Sequence, residues 1–229
     1  TYIPLIGIFI IIAWGVPELI SKWRYKEKVL SVSAGIIIFA LFITTWKQVS
    51  HWKSSITIFK HAIRVTDLKY QSFKLVNNNL GIALSAEGKN KEAISQYQEA
   101  IKLKPDYADA HYNLGVTLVA EGKIKEAVSH YKMAIKIKPD YAKAHNNLAN
   151  RLVKKGALKE AIYHYKMAIK IRPEYAKAHN NLGSALYAER KIVEAIFHYK
   201  TAIKIKPDFA AAQKNLKTSL RSMQIQDLS

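Results

Sequence analysis

A chain of 229 residues has room for a membrane segment and one domain of ordinary size, and its long apolar runs are confined to the first 46 residues. The absence of cysteine excludes disulfides, zinc–thiolate sites and thiol catalysis. A formal net charge of +19 points to an acidic partner or an anionic surface and does not bear on fold.

From Tyr2 to Ile20 the only strongly polar residue is Glu18. SKWRYKEK (21–28) then sets Lys22, Arg24, Lys26 and Lys28 against Glu27, and VLSVSAGIIIFALFITTW (29–46) carries no charge. A helix of about 18 residues rises ~27 Å, close to the hydrocarbon thickness of a bilayer. Residues 1–46 are therefore expected to form two transmembrane helices with a basic loop at 21–28. Trp14, Trp23, Tyr25 and Trp46 would sit in or near the interfaces, where amphipathic rings are favoured. A signal peptide is disfavoured because nothing basic precedes the apolar core and Trp-Arg-Tyr follows it. A buried hairpin of a soluble domain is disfavoured by IIIFALFI, which is apolar on every face. The four cations of the loop favour the cytoplasmic side, although Lys47 and Lys53 pull the other way. The expectation is thus an integral membrane protein with everything after residue 46 exocytoplasmic, in periplasm or lumen.

Residues 47–73 read as a degenerate helical adapter. In SSITIFKHAIRV, Ile56, Phe59, Ala62 and Ile63 take the spacing that Ile94, Tyr97, Ala100 and Ile101 take later.

Internal periodicity dominates the rest. Asn-Leu recurs at 79–80, 113–114, 147–148, 181–182 and 215–216, always 34 residues apart. With it, in register, recur Gly81, Gly115, Ala149 and Gly183; then Ala93, Ala127, Ala161 and Ala195; then Tyr97, Tyr131, Tyr165 and Tyr199. Ala100, Ala134, Ala168 and Ala202 follow, and Pro105, Pro139, Pro173 and Pro207 close the units. Small residues let helices approach, and the tyrosine is expected to fill the gap between units. Gly88, Gly122 and Gly156 mark a turn needing a left-handed residue, where Arg190 stands in the fourth unit and predicts a strained or differently shaped turn. Each proline ends a helix before it. Such a unit cannot bury its apolar face alone, and stacking builds a continuous core. Four units follow, 74–107, 108–141, 142–175 and 176–209, with 210–229 a capping helix and tail in which Lys217 replaces the glycine.

This pattern resembles the tetratricopeptide repeat (TPR), a helix–turn–helix of 34 residues. The fold expected is all-α: a transmembrane hairpin followed by a TPR solenoid winding as a right-handed superhelix. The whole chain also resembles the C-terminal part of the transmembrane-and-TPR membrane glycosyltransferases, which use a polyprenyl-phosphate sugar donor. Their acidic catalytic residues lie in membrane loops that have no counterpart in these residues.

In TPR arrays the first helices line the concave surface, which singles out a peptide groove of Asn78, Asn79, Tyr112, Asn113, Asn146, Asn147, Asn180 and Asn181, with Asn215 in the cap. An amide donates and accepts, so it can pair with an extended backbone without reading its sequence; equally, it can steady its neighbours. Two cations at the end of each second helix suit the macrodipole and stack into a basic stripe: Lys102, Lys104, Lys136, Lys138, Lys170, Arg172, Lys204 and Lys206. Lipid phosphate, acidic saccharide or acidic protein could meet it; nucleic acid is not expected, for want of a recognition motif. His111, His145 and His179 share one repeat position and His130, His164 and His198 another, ~10 Å apart from unit to unit, too far for one metal shell. No metal, cofactor or catalytic constellation is indicated. The expected function is a membrane-anchored scaffold that binds protein or extended peptide. The alternative is the substrate-binding part of a polytopic O-mannosyltransferase-like enzyme.

Overall fold

The computed structural model describes residues 55–65 and 70–227, together with single helical positions at Ile36, Phe39, Phe42, Ile43 and Trp46. The chain divides into two compact units, Thr1–His61 and Ala62–Ser229. Across the boundary runs α1 (Ser55–Val65), in which Ile56 is buried and Phe59, Ala62 and Ile63 are half-buried.

The second unit is a row of helix pairs. These are α2 (Tyr70–Ala86) with α3 (Asn90–Leu103), α4 (Ala108–Ala120) with α5 (Ile124–Ile137), α6 (Ala142–Lys154) with α7 (Leu158–Ile171), and α8 (Ala176–Ala188) with α9 (Ile192–Ile205), followed by α10 (Ala210–Asp227). Each first helix lies chiefly against the second helix of its own unit, and each second helix against the next first helix. α2 reaches back to Tyr70, so part of the 47–73 segment continues into the first helix of the array.

The membrane expectation is corrected. Among the described residues no helix is long and apolar enough to cross a membrane. The longest of these helices, α2 and α10, are amphipathic; α10 carries Lys214, Lys217 and Arg221 within 18 residues, against the unbroken apolar length that a span requires. Both apolar runs of 1–46 fall almost wholly outside the described residues, so the hairpin is no part of the observed all-α solenoid. The integral-membrane, exocytoplasmic placement rested on that hairpin and is withdrawn with it.

The repeated residues build one core. Leu80, Leu114, Leu148 and Leu182, both alanine series of the second helices, and Tyr97, Tyr131, Tyr165 and Tyr199 are all essentially inaccessible. Fully burying one such leucine contributes roughly 1.5–3 kcal/mol. The tyrosine ring packs on the glycine of its own helix pair, since a Cβ on Gly115 would stand 2.7 Å from Tyr131 Cε1 and one on Gly81 would stand 2.6 Å from Tyr97 Cε1. The hydroxyls of Tyr97 and Tyr131 meanwhile reach Thr117 and Asn147 of the next unit.

The turns are equally regular. Gly122 has φ 76°; its N–H bonds Val119 O and that of Lys123 bonds Leu118 O, the Schellman arrangement that closes a helix. Arg190 adopts the same turn, with φ 65° and equivalent bonds to Tyr187 O and Leu186 O. The turn is therefore not reshaped. Instead, a side-chain-bearing residue occupies a left-handed conformation that glycine adopts more cheaply. At the other junction the pre-proline residues are extended, as Lys104 shows with φ −141° and ψ 93°.

Candidate functional site: the polar ladder of the first helices

Neighbouring first helices touch one another, and their contact is lined by amides. Asn113 Nδ2 donates to Asn78 Oδ1 at 3.1 Å, Asn181 Nδ2 to Asn146 Oδ1 at 3.1 Å, and Asn215 Nδ2 to Asn180 Oδ1 at 3.0 Å. In the remaining step Asn147 Nδ2 donates to the Tyr112 hydroxyl at 3.3 Å. Within units, Asn146 and Asn180 donate to Asn147 and Asn181 at 3.2 and 3.3 Å, and Asn78 reaches Asn79 at a long 3.5 Å. The ladder thus joins the sixth residue of one first helix to the fifth residue of the preceding one.

The two series differ in access. Asn78, Asn146 and Asn180 are buried, whereas Asn113, Asn147 and Asn181 are half-buried and Asn79 is exposed. An amide has two N–H donors. Asn181 spends both, the second on Asn150 Oδ1 at 3.1 Å. Asn113 spends one inside the array, and Asn147 turns to two hydroxyls, those of Tyr112 and Tyr131. Asn79 accepts through Oδ1. The amides with hydrogens left over at the surface are therefore Asn79 and Asn113.

Tyr112 sits among rings, with centroids 5.0 Å from Tyr141 and 6.1 Å from Tyr131. Burial raises its phenol pKa, with Asn147 opposing. Tyr97 and Tyr131 are pushed up to about 12 by burial, so these rings stay neutral throughout the working range. Asn150 escaped sequence reading, although it also accepts from the Tyr165 hydroxyl at 2.7 Å. Its signal was a polar residue where the first two units have Ile82 and Val116.

The basic stripe lies at solvent, with only Lys104 half-covered. It divides into two rows. Lys102, Lys136, Lys170 and Lys204 occupy the last turns of second helices, while Lys104, Lys138, Arg172 and Lys206 cap them. Lys138 and Arg172 fold over the rings of Tyr141 and Tyr175, at 5.2 and 5.4 Å.

The histidines pair within units. His111, His145 and His179 set Nδ1 at 3.0, 2.9 and 3.0 Å from Nδ1 of His130, His164 and His198. Each inner ring also places Nε2 3.0 Å from a proline carbonyl, of Pro105, Pro139 or Pro173. A carbonyl only accepts, so Nε2 of the inner ring carries hydrogen and its Nδ1, in the neutral form, is a lone pair. The outer ring must then donate from Nδ1. Among the described residues no group of three metal-ligating side chains forms. Burial lowers the pKa of His130, assisted by His111 and opposed by Glu126. Burial likewise lowers that of His164, with His145 and Lys132 assisting and Glu160 opposing. His198 is pushed down to about 4 by burial, then by His179 and Lys166.

The stacked helix pairs, their buried leucine–alanine–tyrosine core and the polar ladder define an α-solenoid repeat protein. The chain matches the family described as "TPR repeat" over residues 81–120, 117–150 and 149–189, and that described as "Tetratricopeptide repeat" over 176–209. These matches cover more than half of its length, and the chain belongs to the tetratricopeptide repeat family. It is 28% identical over 111 residues to the protein O-mannosyl-transferase Tmtc2 of Drosophila melanogaster, covering 48% of this chain and 11% of that protein. The chain thus spans about a tenth of the length of the curated relatives it matches. Among solved structures it shares its fold with YrrB, described as a TPR protein with an unusual peptide-binding site (TM-score 0.59, 21% identity, 79% of this chain and 90% of that one). It also resembles the first TPR of Spaghetti (RPAP3) bound to an HSP90 peptide (TM-score 0.50, 21% identity, 51% and 93%).

Proposed function

We propose that this chain is a scaffold whose first-helix face holds an extended segment of a protein partner. The observation that carries the reading is the unspent amide hydrogens on Asn79 and Asn113, set along one face one repeat apart. Donors so placed suit the carbonyls of an extended backbone, which any sequence supplies. Solved relatives of this fold that hold or accept peptides support it. On this reading the C-capping cations Lys104, Lys138, Arg172 and Lys206 draw an acidic segment toward the array.

Selection of peptides from a random library on the full chain tests the proposal. Changing Asn79 and Asn113 together to alanine removes two bonds of about 1 kcal/mol each, so affinity for a selected peptide should fall roughly thirtyfold. Thermal unfolding of the variant separates lost recognition from lost fold, because the ladder bond of Asn113 goes too. A folded variant that binds the selected peptides unchanged would refute the groove.

The similarity to Tmtc2 favours a second reading, in which the array presents an acceptor protein to an O-mannosyl-transfer centre carried elsewhere in a longer polypeptide. The coding sequence upstream of Thr1 discriminates: a catalytic membrane region there supports this reading, and its absence leaves the scaffold alone.

A further inference from the structure

The outer surfaces of the second helices have no role in the groove, and they change along the array. On each of these helices the residues at i, i+4, i+7 and i+11 share one face. On α3 they are Lys91, Ser95, Gln98 and Lys102, and on α5 they are Lys125, Ser129, Lys132 and Lys136. On α7 they become Lys159, Tyr163, Lys166 and Lys170, and on α9 Val193, Phe197, Lys200 and Lys204. All sixteen side chains are exposed. Tyr163, Val193 and Phe197 are 58%, 72% and 64% accessible, values far above those of an amphipathic helix's covered face. Each ring stands edge-on to the histidine beside it, with centroids 5.1 Å apart for Tyr163 and His164 and 5.2 Å for Phe197 and His198.

We infer that the outer face of α7 and α9 docks on an anionic lipid surface, with Tyr163, Val193 and Phe197 entering the headgroup boundary and the flanking lysines meeting phosphates. This goes beyond the peptide reading, which uses the first helices, and it is a surface contact rather than a span. Three features select lipid over protein. The ten cations of the four stripes are all lysines, point charges that need no fixed geometry, whereas protein interfaces are depleted in lysine and enriched in arginine. None of the three ion pairs among the described residues uses them. Glu92, Glu99, Glu126, Glu160 and Glu194 border the stripes, which leaves five net positive charges over the four faces, ten lysines less five glutamates. Finally, three protruding apolar side chains fall well short of the ~800 Å² per partner of a standard protein interface, yet suffice as interfacial anchors for a surface held mainly by charge.

The absence of cysteine makes the test site-specific. Full-length Phe197→Cys and Ser129→Cys proteins, each labelled with an environment-sensitive fluorophore, are mixed with vesicles of phosphatidylcholine alone or with phosphatidylserine. The label at 197 should shift to the blue only with phosphatidylserine, and the label at 129 should respond less, because α5 lacks the apolar residues. Val193→Lys with Tyr163→Ser, which restores the α5 pattern while adding charge, should weaken vesicle binding at least about tenfold, read from a label placed at 197. Lys159→Gln, Lys166→Gln and Lys200→Gln together should weaken it roughly a hundredfold. Binding with no response at 197 would overturn the proposal and assign attachment to another part of the chain. A concentration-dependent shift without vesicles would overturn it in favour of a second copy, and an equal shift with polyglutamate would overturn it in favour of an acidic protein.

Discussion

The three histidine pairs make the array acid-sensitive, and the magnitude can be worked from one of them. A pair bridged Nδ1 to Nδ1 accommodates no proton or one, but two protons put N–H against N–H at 3.0 Å. In the unfolded chain each ring takes up a proton near pH 6.5. In the folded chain His198 does so only near 4, held down by burial, His179 and Lys166, while His130, His145, His164 and His179 shift in the same direction. Protons therefore favour the unfolded state. Stability is unaffected well above pH 6.5, falls as the pH drops through 6.5, and levels off below the folded value. Taken at face value the His198 shift is worth about 3 kcal/mol, but its ring is only half-covered and solvent screens the charge, so about 1–2 kcal/mol is expected from that pair. The other two pairs add losses of the same sign.

The assay is urea unfolding followed by circular dichroism at a series of pH values. The informative variant carries His130→Gln, His164→Gln and His198→Gln. A glutamine amide can still donate to the inner Nδ1 yet does not titrate, so stability at neutral pH should stay within about 1 kcal/mol of the parent. Between about pH 7 and pH 4.5 the parent should lose stability distinctly faster than the variant, whose remaining slope reports the inner rings and the carboxylates. Parallel loss in the two proteins would refute the coupling argument and reduce the histidines to neutral packing.

Two further outcomes follow from backbone and packing. Arg190→Gly relieves the left-handed cost at φ 65° and should stabilise the protein by about 0.5–1 kcal/mol after the unfolded-state entropy of glycine is counted, seen as slower hydrogen exchange at the α8–α9 junction; no change there would mean that the turn carries no strain. Gly115→Ala drives a methyl to 2.7 Å from Tyr131 Cε1 and should destabilise by about 1 kcal/mol net in thermal or urea unfolding, the overpacking outweighing the gain in helix propensity; a stabilised variant would show that Tyr131 yields as freely as Tyr165 does beside Ala149.

The core was legible because each of its requirements is local and repeated. Leu80, Ala93, Tyr97 and Ala100, and their equivalents 34 residues on, are buried as the periodicity demands, and Lys217 stands exposed on the capping helix where the earlier units need a glycine. Polar partnerships were not legible in this way, since they link residues whose separations are not repeat lengths. Asn113 finds Asn78 at 35 residues and His111 finds His130 at 19. Comparing histidines at equivalent positions across units placed them a helix diameter apart and hid the contact inside each unit. The tyrosine's aromatic bulk was evident, and it serves both spaces: its ring meets the glycine of its own helix pair, and its hydroxyl, in Tyr97 and Tyr131, reaches the next unit. The membrane hairpin rested on the apolar length of residues 1–46 with their basic loop and flanking aromatic rings, and no described helix has that apolar length.

Near-identical units also provide an internal control on which positions serve the fold. At the packing positions the four units agree, or differ by a single methyl as Ala149 does from its glycine counterparts. They disagree elsewhere: the mostly buried fifth residue runs Asn78, Tyr112, Asn146, Asn180; the ninth runs Ile82, Val116, Asn150, Ser184; and the exposed outer position of the second helices runs Ser95, Ser129, Tyr163, Phe197. A stacked array needs no such variation, because every internal unit meets the same neighbours. The first two series face along the first helices, where they take up amide hydrogens: Asn150 consumes one from Asn181, and Tyr112 one from Asn147. The third series faces outward and turns a polar surface into an apolar one within two units. On the two proposals, one fold carries two separate surfaces, each specified by the residues that break the repeat and not by those that make it.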